Sequence, residues 1–420
     1  MPTTSSNNQH DPIVITGIGV ITSLGTDRET LWNALVAGHS GIDRIQAFDP
    51  APYATQIASE VRNFDATGWL DRKLAKRMAR NSQFAAAAAV DAVRDAGLDL
   101  NSMPRERVGV CVGTAAGDYV DLEEQHSGFL TRGPRAVSPF CVPKVIPNMP
   151  AANVAIALDL HGPNLAAISA CATGAHSIGV ALDLLRAGRA DVMLAGGTEA
   201  TITPFVLSGY MSMGALSARN DEPTRASRPF DIGRDGFVMG EGAGVLVLER
   251  LSHARARGAA PIAELAGFGM TSDAFGIAQP DPEGRWAARA MELALEDARL
   301  DSSEVGYVNA HGTSTPANDS TESRALKSVF GPGAVPAVSS TKSMLGHTLG
   351  AAGAVEAAIT ALALRHATLP PTINLEQLDP ECGLDVVPNK ARPAAIKAAM
   401  SNSFGFGGQN AVLAFRTVSD

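Results

Sequence analysis

The sequence predicts an α/β fold in which one unit is used twice. Three observations carry this expectation. The segment "AVRDAGLD" (Ala92–Asp99) is echoed by "ALEDARLD" (Ala294–Asp301), each with helical apolar spacing. A short linker and an apolar strand follow each, "VGVCVGT" (Val108–Thr114) and "VGYVNAHGT" (Val305–Thr313). Next, "AISACATGAHSIG" (Ala167–Gly179) can be set beside "AVSSTKSMLGHTLG" (Ala337–Gly350), with His176 opposite His347 and Gly179 opposite Gly350. Each reads as a short β-like run, a turn and a Gly- and Ala-rich helix. Finally, "GVLVLER" (Gly244–Arg250) matches "AVLAFR" (Ala411–Arg416), both apolar strands behind Gly-rich loops.

These echoes keep their order along the chain. They assign residues 11–258 to one half and 259–420 to the other, behind a polar tail, 1–10. Alternating strands and helices imply mostly parallel sheets with helices on their faces. No linker rich in Pro, Ser or charge separates the halves, so they are expected to share one core.

Composition excludes several function classes. The chain carries 34 Lys+Arg against 43 Asp+Glu, a net charge of −9, which argues against a global attraction to nucleic acid or anionic membrane. Its apolar runs are broken by Gly and charge before membrane-spanning length. The start, "MPTTSSNNQHDP", has no apolar segment of the signal-peptide kind and reads as a disordered tail. The four cysteines, Cys111, Cys141, Cys171 and Cys382, form no CxxC pair and fit neither a zinc site nor a disulfide framework. The expected setting is a reducing cytoplasm, and no metal is expected.

In open α/β sheets, function gathers at the carboxyl ends of strands beside helix N-termini. Four stretches fall there: Cys171, His311, Lys342 with His347, and "SNSFGFGGQN" (Ser401–Asn410). Cys171 has two readings, a small packing residue or a nucleophile. It precedes a helix expected near Thr173, whose dipole and free N–H groups favour an anion and make a thiolate more accessible. Small neighbours leave room for a carbonyl. His311 and His347 read as satisfied core histidines or as partners of that thiol. Lys342 is either a snorkelling surface lysine or the partner of Glu356, the one acid in the helix that follows. The glycines of "FGFGG" either build a bulge or let backbone N–H groups approach a ligand.

The blocks "SACATG", "VNAHGTSTPANDSTE", "STKSMLGHTLGAAGAVEA" and "NSFGFGGQN" resemble the signatures of β-ketoacyl-ACP synthases. "RNDEPTRASRPFDIGRDGFVMGEGAG" (Arg219–Gly244) is similar to that family's central block, and the match runs from Ile13 to Phe415. The Cys-His-His set resembles the elongating type II enzymes of the thiolase superfamily. The resemblance implies a thiolase-like α/β fold with mixed/parallel sheets layered α-β-α-β-α, a homodimer, and a decarboxylative Claisen condensation. Cys171 would take an acyl chain from an acyl carrier protein as a thioester. His311 and His347 would hold the enolate from malonyl-ACP, and backbone N–H groups of Cys171 and Phe406 the tetrahedral oxyanion. Lys342 would polarise the site with support from Glu356. Thr313, Thr315, Phe404, Gly407 and Gly408 would bind substrate. No metal or organic cofactor is implied, because the phosphopantetheine arm arrives on the carrier.

In "DRKLAKRMAR", Arg72, Lys73, Lys76, Arg77 and Arg80 recur at helical spacing. The run reads either as a solvated face or, by resemblance, as the carrier-docking helix, with Arg135 and Arg219 at further docking positions. Three departures stand out. Ala116 occupies a place where the family commonly has a bulky aliphatic residue, and Cys141 one that is commonly Phe. By resemblance both lie at the distal end of the acyl pocket at the dimer interface, and truncation would admit a longer, stiffer or bulkier chain, such as a polyene or other polyketide intermediate. Gly276 stands where the family often has His, on a loop tied to carrier delivery. Three alternatives remain: the active subunit of a heterodimeric type II polyketide ketosynthase, a non-catalytic chain-length partner, disfavoured because Cys171, His311 and His347 are all kept, and a degradative thiolase, disfavoured by His347.

Overall fold

The computed structural model describes residues 11–418, so the tail 1–10 lies outside the described residues. Ten strands form the main sheet: β1 (Ile13–Ile21), β2 (Val108–Gly113), β3 (Asn164–Leu165), β4 (Val192–Glu199), β5 (Gly242–Arg250), β6 (Ala263–Ser272), β7 (Val305–Asn309), β8 (Ala337–Ser339), β9 (Ala398–Gly405) and β10 (Gln409–Arg416). Their order is β8-β7-β9-β10-β6-β1-β5-β4-β2-β3. The first five strands and the last five therefore repeat one order, and they meet where β1 pairs antiparallel with β6 through Val14 and Ile15.

The pairing inside each half is also repeated. β3, β2 and β4 run parallel, as do β8, β7 and β9. β4–β5 and β5–β1 are antiparallel, like β9–β10 and β10–β6. The sheet is thus mixed, with a parallel trio in each half, in keeping with the mixed/parallel sheets expected. The strands after the parallel trio return beside it and carry the join between halves.

Helices follow the same plan. Helix α1 (Arg80–Asp95) packs on β1 and β5, and α2 (Thr173–Arg186) on β4 and β2. Helix α3 (Arg285–Ala298) covers β6 and β10, α4 (Pro316–Phe330) lies beside it, and α5 (Ala352–His366) packs on β5, β9 and α2. The apolar core divides accordingly. One cluster surrounds α2 and α5 between the sheet halves, one lies under α1, and one under α3. This produces the expected helix–sheet–helix–sheet–helix layering. The sequence of α5, "AGAVEAAITALALRH", explains its place: it is apolar and small all round, so every residue from Ala352 to Leu364 is buried.

The central helices cross where side chains are absent. A Cβ on Gly174 would lie 2.6 Å from Ala354 N, and one on Gly353 would lie 2.7 Å from Ala175 N. Each helix is preceded by a one-turn 3₁₀ segment, Ala170–Ala172 before α2 and Leu349–Ala351 before α5. Ala170 and Leu349 have left-handed φ values of 50° and 48°. The structure therefore pairs Cys171 with Gly350, and His176 with Val355. The sequence register, which set His176 against His347, followed letters where the backbone repeats the strained turn. The first echo is likewise the end of a helix: α1 stops at Asp95 and α3 at Ala298, each followed by a left-handed residue, Gly97 or Arg299. Among the described residues, no helix is long and apolar enough to cross a membrane.

Candidate active site

Cys171 sits in the 3₁₀ turn at the head of α2, 7% exposed. Left-handed Ala170 immediately before it is a conformation that costs an L-residue roughly 1–3 kcal/mol and persists only where surroundings over-determine it. The loop after β9 is one such constraint. A Cβ on Gly405 would lie 2.5 Å from the Ser169 carbonyl oxygen and 3.3 Å from Cys171 N, so only glycine lets the loop press onto the turn. This contact aims the Phe406 N–H at the Cys171 sulfur.

The thiolate is less accessible than the helix-dipole argument predicts. Burial pushes the Cys171 thiol up to about 12, against the opposing pull of the Lys342 charge and the Phe406 N–H. Desolvation outweighs the favourable dipoles while the site is dry. The resting state is a thiol, and Lys342 and the Phe406 N–H are the groups in place to favour negative charge on its sulfur.

His311 follows β7 and is buried. Its backbone N–H and that of Gly312 donate to Glu322 of α4, each at 2.8 Å, and Asn402 of β9 donates to the same carboxylate at 3.0 Å. Lys342 Nζ lies 3.4 Å from His311 Nδ1, and the ammonium can only donate. The imidazole proton therefore belongs on Nε2. His347 is fixed the same way: the Leu349 N–H approaches its Nδ1 at 3.3 Å, and its backbone N–H donates to Val238 at 2.7 Å. His347 Nε2 is buried and has no hydrogen-bond partner among the described residues. Burial, with the Lys342 charge, holds both imidazoles well below the usual histidine range, so both are neutral. The rings meet edge to face with centroids 5.3 Å apart.

Lys342 is fully enclosed and ion-paired with Glu356 of α5, which excludes the snorkelling alternative. Burial pushes the Glu356 carboxyl up to about 7, and the lysine opposes this.

A cleft of ≈ 310 Å³ brings Cys171, His311 and His347 together. Thr313, Thr315, Phe404, Phe406 and Gly408 also line it, while Gly407 does not. The Gly407 N–H instead donates to the Ile277 carbonyl at 2.8 Å, tying the "FGFGG" loop to the Gly276 loop. Thr313 and Thr315 share a hydroxyl hydrogen bond of 2.9 Å, and Phe404 packs edge to face on His311 at 5.6 Å. Ala116 is exposed on the single chain and Cys141 half-buried, and neither borders the cleft. Ala115, beside Ala116, belongs to the apolar cluster that contains Cys171.

The basic run is not one helix. Arg72–Ala75 is a single turn capped by Asp71, Met78 is buried, and extended Ala79 interrupts the path before α1. Arg72, Lys73, Lys76 and Arg77 are exposed, as is Arg135. Arg80 leaves the group: it pairs with Glu241 and donates to the Val61 carbonyl at 2.7 Å. Arg219 is half-buried, donates to the Gly233 carbonyl at 2.8 Å and lies 3.9 Å from Asp235.

Sequence reasoning missed two carboxylates. Glu322 organises the His311 turn; it closes the block "VNAHGTSTPANDSTE", whose resemblance to the family assigned this acid no role. Glu199, at the end of β4, accepts from Thr114, Ala115 and Gly350. Burial pushes it up to about 7.

A thiol, a backbone amide aimed at its sulfur and two neutral imidazoles lining the same cleft, on a duplicated α/β scaffold, define an acyl-transferring enzyme that works on thioesters. Comparison with known proteins makes the class specific: residues 10–254 match the family model "Beta-ketoacyl synthase, N-terminal domain", and residues 262–376 match "Beta-ketoacyl synthase, C-terminal domain". The chain belongs to the beta-ketoacyl synthase family. It is 49% identical over 412 residues to a protein named 3-oxoacyl-[acyl-carrier-protein] synthase 2 from a Synechocystis species, covering 98% of this chain and 99% of that one. It is 49% identical to the same-named protein of Coxiella burnetii, over 97% and 99%. Among solved structures, it is similar to a beta-ketoacyl synthase from Burkholderia phymatum (TM-score 0.91, 39% identity, covering 97% of this chain and 100% of that one) and to the ishigamide ketosynthase/chain length factor (0.92, 38%, 97% and 100%).

Proposed function

We propose that this protein is a β-ketoacyl-[acyl-carrier-protein] synthase that lengthens a Cys171-bound acyl chain by two carbons. The observation that carries the reading is the pair of neutral imidazoles, His311 and His347, which line one cleft with Cys171 and whose Nδ1 atoms face protein donors, leaving Nε2–H to donate. The Cys171 sulfur attacks the acyl thioester carbonyl, and the carrier's pantetheine thiol leaves with the proton. The Phe406 N–H supports the tetrahedral oxyanion. Malonyl-ACP then loses CO2, and the electron pair of the broken C–C bond becomes an enolate. Its oxygen sits between the two Nε2–H donors. The enolate carbon attacks the acyl-Cys171 carbonyl and expels the Cys171 thiolate, which takes a proton from solvent to return to the resting thiol, leaving a β-ketoacyl thioester on the carrier. Water is kept out by the enclosure of the catalytic side chains.

The carrier is acidic in the reading we favour. Arg72, Lys73, Lys76, Arg77 and Arg135 support a docking patch: Arg77 lies over the Phe140 ring at 5.7 Å, which links the first basic turn to the segment bearing Arg135. A Lys76→Glu/Arg77→Glu variant is expected to raise KM for carrier-bound substrates about tenfold or more and leave turnover of a small pantetheine thioester unchanged. Equal losses with both substrates contradict docking there.

Exposed Phe129, Leu130, Val142, Ile156 and Phe205 support a homodimer, tested by sedimentation of the purified protein. All four cysteines are free thiols, Cys111, Cys171 and Cys382 buried and Cys141 half-buried, which suits a reducing cytoplasm. We place Ala116 and Cys141 at the end of an acyl channel completed by the second copy, where their small volumes select longer, stiffer or bulkier chains. Ala116→Ile is then expected to depress use of long or polyunsaturated acyl carriers at least tenfold and spare short ones. Equal use of short and long chains by both proteins contradicts this.

A further inference from the structure

His176 is used by no step above, yet it touches both sides of the nucleophile turn. It lies one turn into α2, half-buried, with its ring edge-to-face on Phe268 at 5.9 Å. Its Nδ1 is 2.8 Å from Ser169 Oγ and 3.2 Å from the Ala172 carbonyl oxygen. The carbonyl can only accept, so a proton on Nδ1 serves both groups. Ser169 directly precedes left-handed Ala170, and Ala172 directly follows Cys171. One ring atom therefore bridges the two ends of the Ala170–Cys171 step. The same turn is held by the Ser169 N–H donating to Thr173 Oγ1 at 2.9 Å and the Ala172 N–H to the Ser169 carbonyl at 3.0 Å.

The duplicate turn shows what this bridge adds. Leu349 is left-handed there too, but Gly350 replaces the cysteine, and Val355 stands at the position of His176. The turn without a nucleophile has no imidazole bridging it from the helix; its imidazole contact is the Leu349 N–H to His347 Nδ1, before the turn. What distinguishes the active copy is the need to hold one sulfur against one amide.

We infer that His176 is a positioning residue for the acyl-transfer half of the reaction: acting through Ser169 and Ala172, it fixes the Ala170–Cys171 turn so that the sulfur meets the Phe406 N–H. It does not line the cleft, and the inference rests on the reading of Cys171 as the acyl carrier. Because His311 and His347 stand on other segments, malonyl decarboxylation does not pass through it. The two half-reactions should therefore part company when it is removed.

The test measures, in the full-length protein, the rate of Cys171 acylation from an acyl-carrier thioester by quenched-flow mass spectrometry. The rate of CO2 release from malonyl-ACP is measured in parallel. His176→Ala is expected to slow acylation by about 10²-fold, the scale of a misplaced reacting atom, with CO2 release within twofold of the parent. His176→Asn, whose amide nitrogen reaches the level of Nδ1, is expected to recover most of the acylation rate. Ser169→Ala removes the other end of the bridge and serves if His176→Ala does not fold; it should show the same split at smaller size. Acylation within twofold of the parent in His176→Ala, or in Ser169→Ala in its place, overturns the inference, as does an equal fall in both half-reactions that Asn does not rescue. A parent enzyme that neither gains acyl mass nor releases CO2 contradicts instead the proposed function.

Discussion

Replacing His311 or His347 with alanine is expected to cut CO2 release from malonyl-ACP by about 10²–10³-fold, while acylation of Cys171 by an acyl-carrier thioester continues. The magnitude is that of removing one preorganised oxyanion donor. Each ring is held with its Nδ1 facing a protein donor, Lys342 for His311 and the Leu349 N–H for His347. Each therefore offers one Nε2–H, and the enolate oxygen needs both. Asparagine, whose amide also donates, should lose less than alanine at either position. The pH dependence follows from the same burial. Both pKa values lie well below the usual histidine value, so both rings stay neutral as pH falls through 6.5. CO2 release should show no histidine titration between pH 8 and 6. Stability has the matching sign: the unfolded chain takes up these protons near 6.5 and the folded chain does not, so stability present above 6.5 declines as pH drops below it. A rate falling with an apparent pKa near 6.5, or an alanine variant that decarboxylates normally, would remove the imidazoles from the role assigned to them.

Lys342→Met should be the most destabilising single change at the site. It leaves the Glu356 carboxylate buried without its partner, a defect of about 3–5 kcal/mol. Glu356 already sits near 7 because of burial, and Lys342 is the charge that opposes a further rise. Without the lysine the carboxyl will protonate, so the melting temperature of the variant should fall as pH rises from 6 to 8. The sign follows from linkage: a carboxyl with a raised folded pKa loses stability as pH climbs through that value. Adding Glu356→Gln should recover much of the loss at pH 8. Turnover should fall about 10–100-fold in the single variant, because His311 Nδ1 loses the donor that fixes its tautomer. Thermal melting at the two pH values checks the first claim. A melting temperature independent of pH would show that Glu356 does not carry the uncompensated charge.

Much of this was legible in the sequence, for identifiable reasons. Cys171, His311, Lys342, His347 and Glu356 stand in short motifs at strand ends, and their roles follow from local chemistry. The duplication was legible because strand and helix patterns survive in each half. Its register was not: the repeat preserves the left-handed turn at Ala170 and Leu349, which letters do not encode. Arg80 looked like one more surface cation, since its partner Glu241 is 161 residues away. Glu322 and Glu199 were hidden because they serve backbone N–H groups, which leave no trace in residue spacing. Gly407 and Gly408 read alike, yet only one faces the cleft. The thiol itself shows where local argument stops: a helix N-terminus predicts a thiolate, and the weight of burial decides for the thiol.

The central claim is that Cys171 carries the acyl chain and gives it up to a malonyl-derived enolate. Intact-mass spectrometry with peptide mapping tests it most directly, after incubation with an acyl-carrier thioester and then with malonyl-ACP. One acyl adduct is expected on the peptide containing "AISACATG", absent in Cys171→Ala. The second addition should discharge it to a carrier-bound chain two carbons longer. An adduct on Cys111, Cys141 or Cys382, no adduct at all, or one that survives malonyl-ACP unchanged would contradict it.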